Sequence, residues 1–229
     1  MQPDVDIIVP AGPGDRAWRE LLPQLVAARV NRVILVLADD DLSDPGDIPP
    51  EVQVCRSKAG RALQLNAGAR VSESPWLWFV HADSRVTPAT LGAMQHFVDA
   101  DATAIGYFRL RFLADGPRWT FLNAWGADLR SRLLGLPFGD QGLLMPRRVF
   151  DSLNGFDESV VAGEDHNLIW AARAHGIPLG AVPAPIYTSA RKYAERGWWR
   201  TTWQHLGMTR TQARSFSRNN NRRDTAEAS

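Results

Sequence analysis

Apolar residues in the first hundred positions fall into short runs, and between the runs they recur at helical spacing. Asp4–Pro10 is the first run, Arg32–Leu37 the second, Val52–Cys55 a short third, and Trp76–Val80 places five apolar residues in a row. Runs of this length bounded by turn residues predict strands, and unbroken ones predict strands buried on both faces. Between them, Trp18, Leu21, Leu22, Leu25 and Val26 predict an amphipathic helix, with Asp15 as its cap and Pro23 as a kink or late start. Leu63, Leu65, Ala67 and Ala69 predict a helix over Gly60–Val71. Thr87-Pro88 reads as an N-cap followed by a first-turn proline, opening a helix with Leu91, Met94, Phe97 and Val98. Strand and helix alternating in this way imply parallel strands joined by helical crossovers.

The second half changes character. Ala102–Leu113 alternates like a long strand, Trp119–Leu134 has helical spacing, Gly135–Gly142 is a Gly/Pro loop, and Leu143–Met145 is a short strand. Glu164–His175 predicts a helix with Leu168, Ile169, Ala171 and Ala172 on its apolar face, and a last helix is expected over Trp198–Ala213. No internal repeat is seen, and the polar end from about residue 215 reads as a disordered tail.

With 229 residues, 45% of them hydrophobic, the chain suits one large domain with a real core. The net charge of +1 offers no general attraction for nucleic acid, although Arg and Lys dominate after Ser189. The Arg-rich end is short and has no matched reading helix, so no nucleic-acid partner is expected. The single cysteine, Cys55, forms no internal disulfide, which fits a reducing compartment, and its expected place is in or beside a strand. No signal-peptide pattern and no apolar stretch of about 18 residues is present, so a cytoplasmic location is expected.

Candidate chemistry starts where Trp76–Val80 ends in His81-Ala82-Asp83. Ligands collect at the carboxyl ends of strands in open α/β sheets. A carboxylate there can hold a hard divalent cation, and an adjacent imidazole shifts the preference toward Mn²⁺; the competing reading is a turn that Asp83 caps. Glu164-Asp165-His166 follows Gly163 at a helix start, where carboxylates are stabilised by the dipole, or where one of them serves as a general base facing a cleft. His166 reads as a packing or surface residue. Gly139-Asp140-Gln141-Gly142 is either a plain tight turn or a place where backbone approaches a ligand. Lys58, Arg61, Gln64 and Asn66 cluster at one helix start, an anion site or, preferably, a solvated face. Asp39-Asp40-Asp41 reads as a polar loop at a strand end rather than a second metal cluster.

Taken in order, these segments resemble the family-2 inverting glycosyltransferases, which use nucleotide sugars. Ile7-Ile8-Val9-Pro10-Ala11, Gly60–Ala69, His81-Ala82-Asp83, Gly139–Gly142 with Asn154-Gly155-Phe156, and Gly163-Glu164-Asp165 carry the likeness. Thr188–Tyr193 looks like a tail found in a bacterial subgroup. The resemblance spans about residues 5 to 200. It implies a GT-A fold: a Rossmann-like, mostly parallel central sheet flanked by helices, with a C-terminal helix. A single domain over 1–214 would divide into a nucleotide half (about 1–100) and an acceptor half (101–214). Asp83 matches the last Asp of the D-x-D metal motif, with His81 at its first position, and Asp165 matches the catalytic base. Pro10, Ala11, Asp39 and Arg61 match nucleotide-binding positions, while Gly139, Asp140, Gln141, Glu164 and Trp170 fall near the sugar or acceptor. Three departures mark this chain: His81 itself, an Ala-Gly-Pro-Gly-Asp loop after Pro10 where Asn-Glu is common, and Ala38 straight after the second strand.

The implied activity is transfer from a nucleotide-diphosphate sugar, UDP-sugar by family habit, to an acceptor hydroxyl with inversion. Mn²⁺ or Mg²⁺ would sit on Asp83 and His81, and Arg191 would steady the diphosphate. The acceptor is open, lipid-linked or small. Trp198, Trp199, Trp203 and Leu206, with Arg196, Arg200 and Arg210, fall on helical spacing. That helix either packs on the domain or a second subunit, the preferred reading, or lies on an anionic membrane surface. Two rival functions are a non-catalytic nucleotide-sugar-binding protein, which His81 keeps open, and a nucleotidyltransferase. The latter is disfavoured because Gly12-Pro13-Gly14-Asp15 places a proline and an acid where phosphates would sit.

Overall fold

A computed structural model of the chain describes residues 4–27, 30–41, 46, 48–100, 103–115, 124, 126, 129–131, 136–160 and 162–190. Most of the expected helix over Trp119–Leu134, the helix Trp198–Ala213, Arg191 and the tail lie outside them. The described strands are β1 (Val5–Ala11), β2 (Arg32–Ala38), β3 (Val52–Ser57), β4 (Trp76–Phe79), β5 (Ser84–Arg85), β6 (Ile105–Phe112), β7 (Leu143–Pro146) and β8 (Leu179–Thr188). They form one sheet in the order β3-β2-β1-β4-β7-β6-β8-β5. The β3-β2-β1-β4 half is parallel, as the strand–helix alternation predicts; β7 then runs antiparallel to both β4 and β6. The architecture is the mostly parallel, helix-flanked sheet of the GT-A type.

Described helices are α1 (Trp18–Val26), α2 (Arg61–Val71), α3 (Pro88–Ala100), α4 (Arg147–Ser152) and α5 (Glu164–Ala174). Alternation along β1 sorts the core into two layers. Ile7 and Val9 join Trp18, Leu21, Leu22, Leu25, Trp78, Met94 and Phe108 on one face. Ile8 joins Val36, Leu65, Leu77, Phe79, Phe150, Leu168 and Ile169 on the other. On that second face α2 lies so close that a methyl group on Gly68 would sit 2.5 Å from Ile8 Cγ2 and 3.0 Å from Val36 Cγ2. Only hydrogen fits there, and the close approach holds the start of α2 at the rim of the sheet. α1 begins at Trp18 and carries Pro23 in its interior rather than breaking there. Asp15 caps nothing at the helix start itself; its Oδ1 accepts the Ala17 N–H at 2.9 Å one step earlier. The Thr87 cap holds, with Thr87 Oγ1 accepting the Thr90 N–H at 3.2 Å.

Three elements were not expected from the pattern: β5, α4 and β8. β8 contains Pro183 and Pro185, which argue against an interior strand. Its pairing with β6 steps from Phe108–Val182 directly to Arg109–Pro185, so the prolines cluster where the ladder is irregular. Cys55 stands half-buried in β3, as expected. Among the described residues, no helix is long and apolar enough to cross a membrane.

Candidate active site

The loops after β1 and β4 and the start of α2 meet at the carboxyl edge of the parallel strands. They enclose a cavity of about 250 Å³. Pro10, Gly12 and Asp15 line it from β1, Gly60, Arg61 and Gln64 from α2, and His81, Ala82 and Asp83 from β4. Local bonding holds each wall. The His81 carbonyl accepts the Ser84 N–H at 3.0 Å, and Ser84 and Arg85 then pair with β8, so the His-Ala-Asp turn is tethered on its far side. Buried Arg85 reaches back to Glu20 of α1. Gln64 is buried, not solvated: its Nε2 donates to the Ala11 carbonyl at 2.7 Å and the Val36 carbonyl at 2.9 Å, pinning α2 across the ends of β1 and β2. Asn66 is likewise buried. Its side chain both donates to the Phe156 carbonyl and accepts the Phe156 N–H, at 2.9 Å each, which fastens α2 to the Asn154-Gly155-Phe156 turn. The preference for a solvated face is therefore corrected for these two residues. Lys58 is exposed, and Arg61 lines the cavity with its side chain 46% exposed.

Asp165, at the start of α5, is buried and does not itself line the cavity; from the other half of the chain it approaches the cavity wall at His81. Gly163 takes a left-handed conformation (φ 86°) that turns the chain into the helix. Asp165 Oδ2 accepts the Gly139 N–H at 2.6 Å and Oδ1 accepts the His166 N–H at 2.9 Å. A methyl group on Gly139 would lie 2.9 Å from His81 Nε2 and 3.0 Å from Asp165 Oδ2. The end of β4 and the start of α5, distant in sequence, thus meet beside Gly139.

The charges here push neighbouring carboxyls apart. Burial alone would raise Asp165, but the His166 ring, the Gly139 N–H, Arg61 and His81 outweigh it and hold the carboxyl below its ordinary value. Glu164 moves the other way: burial and then the adjacent Asp165 charge raise it, against an ion pair from Arg61 Nε at 3.5 Å. Glu164 Oε1 is buried with no hydrogen-bond partner. Two titratable neighbours driven in opposite directions are a signature of a functional site.

Asp140 is pushed from 3.8 up to about 6, first by burial, then by Asp165 and Asp83, against Arg130 and Arg61. Its Oδ1 is also buried without a hydrogen-bond partner. The sign of the stability effect follows. Below the ordinary value both folded and unfolded chains hold the proton, and nothing is lost. Between about 4 and 6 the unfolded chain releases its proton first, so stability falls as pH rises, and above 6 the loss is complete. Asp140→Asn is therefore expected to stabilise the metal-free protein at pH 8 by about 1–3 kcal/mol, or a melting point higher by roughly 2–10 °C. At pH 4 the two proteins should melt together. Scanning fluorimetry across pH reads this, and an equal offset at both ends would contradict it.

Other predicted residues are placed less centrally. Ala11 is buried at the end of β1. Asp39 is exposed after β2 and does not line the cavity. The neighbouring Asp41 is engaged structurally, paired to Arg16 at 3.0 Å and accepting the Gly14 N–H at 3.1 Å. Gln141 is fully buried, with its amide tied to Ser131, Phe138 and Phe108, so its side chain braces the turn and offers nothing to a ligand. Trp170 is half-buried and meets His166 edge-on at 5.8 Å. His166 stacks on Phe138 at 3.5 Å, with Arg130 over the other ring at 3.7 Å. That stack was missed, although the i, i+4 spacing of His166 and Trp170 signals two rings on one helix face. His166 does pack, as expected. Among the described residues, no three His, Cys, Asp or Glu side chains are arranged to hold a metal ion. His81 and Asp83 both line the cavity and are the residues there that could hold an ion completed by substrate phosphates and water.

Comparison with known proteins agrees with this geometry. The family profile described as "Glycosyltransferase like family 2" matches residues 3–224. Solved structures with a similar fold include S. aureus TarS, at 17% identity and TM-score 0.61, covering 82% of this chain and 37% of that one. S. aureus TarS 1–349 in complex with UDP-GlcNAc is similar at 17% identity and TM-score 0.59, covering 82% of this chain and 58% of that one. The chain thus spans less than two thirds of either neighbour, and at this identity the likeness shows the fold. No curated protein sequence matches the chain.

Proposed function

The chain belongs to the glycosyltransferase-like family 2, and from that membership we propose that it transfers a sugar from a nucleoside-diphosphate sugar, UDP-sugar by preference, to an acceptor hydroxyl with inversion. The observation that carries this reading is the convergence of His81 and Asp165 at Gly139, where a single added methyl group would lie 2.9 Å from His81 Nε2 and 3.0 Å from Asp165 Oδ2. It puts a base candidate from α5 beside the cavity wall that ends β4. A similar fold crystallised with UDP-GlcNAc supports a nucleotide sugar as the donor class.

In this mechanism Asp165 accepts the proton of the acceptor hydroxyl as that oxygen attacks the anomeric carbon. The bond from that carbon to the diphosphate oxygen breaks on the opposite side, which inverts the centre. A carboxylate has lone pairs to spare beyond the two N–H bonds Asp165 already accepts. His81 and Asp83 would hold Mn²⁺ or Mg²⁺, whose contribution when bound is to neutralise charge on the departing diphosphate. Arg61, in the cavity wall, adds charge-assisted hydrogen bonds to the phosphates, and Arg191 is a second candidate. Glu164, buried and paired with Arg61, steadies that guanidinium. Asp140 and the half-buried Trp170 border the sugar or acceptor.

The test is a thermal-shift and titration panel of nucleoside-diphosphate sugars with and without Mn²⁺. A bound donor raises the melting point by linkage. The expected result is a shift with at least one donor that Mn²⁺ enlarges. Asp83→Ala should then weaken donor binding roughly tenfold or more with Mn²⁺ and less than about twofold without it. No shift with any donor overturns the function; an Asp83→Ala effect independent of metal overturns the metal assignment alone.

A further inference from the structure

The carboxyl end of β6 carries two arginines with no work in the fold. Side chains alternate along the strand. Ile105 and Tyr107 pack in the core layer that holds Leu168 and Ile169 of α5. Arg109 and Arg111 continue that face and are exposed, while Leu110 between them is buried. Among the described residues, neither guanidinium has a hydrogen-bond or ion-pair partner. Asp115, the next acid along the chain, is bonded instead to the Ser189 hydroxyl at 2.6 Å and the Ala190 N–H at 2.8 Å. Tyr187 of β8 stands in register with Arg111, half-buried, and its hydroxyl is also uncommitted. Strand geometry sets the two arginines about 7 Å apart along β6, with Tyr187 about 5 Å to the side of Arg111. We propose that Arg109, Arg111 and Tyr187 form an anion subsite that takes a phosphate group carried by the acceptor.

Topology places this group beside the candidate base. β4 and β6 both run antiparallel to β7, so they end at the same rim of the sheet. The Phe108 carbonyl accepts the Gln141 amide at 3.1 Å, and Gly139 of the same turn donates to Asp165 at 2.6 Å. Arg109 is the next residue beyond that link, on the face where α5 packs, and Asp165 opens α5. None of the three residues lines the cavity after β1 and β4, where Arg61 supplies the positive charge. An anion held on β6 is therefore separate from a diphosphate held in that cavity and belongs to the second substrate. Two adjacent cations repel each other until an anion lies between them. Two guanidinium forks and a phenol hydroxyl together match a phosphate ester, which offers three peripheral oxygens, better than a carboxylate, which offers two. Naming the acceptor as the carrier rests on the transferase reading; the anion subsite itself does not.

The experiment is calorimetric titration of the full chain with hexyl phosphate, beside hexanol as its uncharged counterpart, each with and without saturating UDP. Wild type is expected to bind hexyl phosphate and not hexanol, with an affinity that UDP changes by less than about twofold, as for independent sites. The double variant Arg109→Gln/Arg111→Gln should bind hexyl phosphate about tenfold or more weakly, the scale of losing charge-assisted hydrogen bonds. Tyr187→Phe should weaken it about threefold. Both arginines are exposed, so the double variant should melt within roughly 2 °C of wild type and bind UDP within about twofold of it. Absence of hexyl phosphate binding in wild type, binding that survives in the double variant, or displacement by UDP overturns the subsite. Phosphatidylcholine vesicles containing phosphatidylglycerol form a further arm and should bind wild type and double variant alike. Loss of vesicle binding in the double variant would make this face a membrane contact and overturn the acceptor assignment. If UDP fails to bind wild type, the nucleotide-sugar reading falls, while the hexyl phosphate arms still decide whether the anion subsite exists.

Discussion

Asp165→Asn is expected to lower kcat for sugar transfer by about 10³-fold, within the 10²–10⁴ range of general-base catalysis. Donor affinity should stay within about threefold of wild type. Asparagine keeps the size of the side chain, and its amide oxygen still accepts one of the two N–H groups, from Gly139 at 2.6 Å or His166 at 2.9 Å. What it loses is the lone pair that takes the acceptor proton. The split between kcat and donor affinity separates a base from a donor ligand, because a lost ligand to the diphosphate would weaken binding first. The pH dependence adds an independent check. Asp165 is held below its ordinary value by His166, Gly139, Arg61 and His81 against the opposing effect of burial. Wild-type activity should therefore persist to pH values below the usual carboxylate range, down to where the fold or another group fails. Steady-state transfer assays with a separate titration of donor binding read both quantities. An Asp165→Asn enzyme keeping a tenth or more of wild-type kcat would remove the base from Asp165 and leave the mechanism without one.

The parallel half of the sheet was legible because its strands are buried on both faces and announce themselves as unbroken apolar runs. Val5–Ala11 and Trp76–Phe79 are buried throughout. The far end of the sheet was not, for a reason visible in β8, which lies between β6 and β5. Its buried and exposed positions alternate, but Pro183 and Pro185 carry the usual sign of a loop, and only the irregular pairing with β6 accommodates them. Motif residues divide in the same way. His81, Asp83 and Asp165 stand beside glycines or strand ends, where sequence spacing marks them as candidates. Gln64 and Asn66 look like a polar helix face because burial of an amide depends on partners far along the chain, the carbonyls of Ala11, Val36 and Phe156. Asp39 and Asp41 show the limit of reading a cluster as a unit. Two residues apart, one is exposed and the other is locked to Arg16.

Gly139→Ala should reduce kcat about 10²-fold, the scale of a misplacement of about 1 Å in a reacting group, with a change in melting point of less than about 3 °C. The added methyl would lie 2.9 Å from His81 Nε2, 3.0 Å from Asp165 Oδ2 and 3.4 Å from Asp165 Cβ. The two closest atoms are the ends of side chains, so the protein relieves the contact by turning His81 and Asp165 outward and leaves the core untouched. That relief spoils what the site requires. Asp165 moves off the Gly139 N–H that helps hold it ionised, and His81 moves off the wall it shares with Asp83. Both halves of the chemistry are disturbed by one methyl group, whereas Gly68, pressed against Ile8 and Val36 in the core, has no such flexible neighbours. Donor affinity in Mn²⁺ should fall as well, by a few-fold, because His81 is displaced. Near-normal kcat in a folded Gly139→Ala protein would mean that the approach of His81 to Asp165 is a packing coincidence. The convergence on which the proposed function stands would then have no catalytic content.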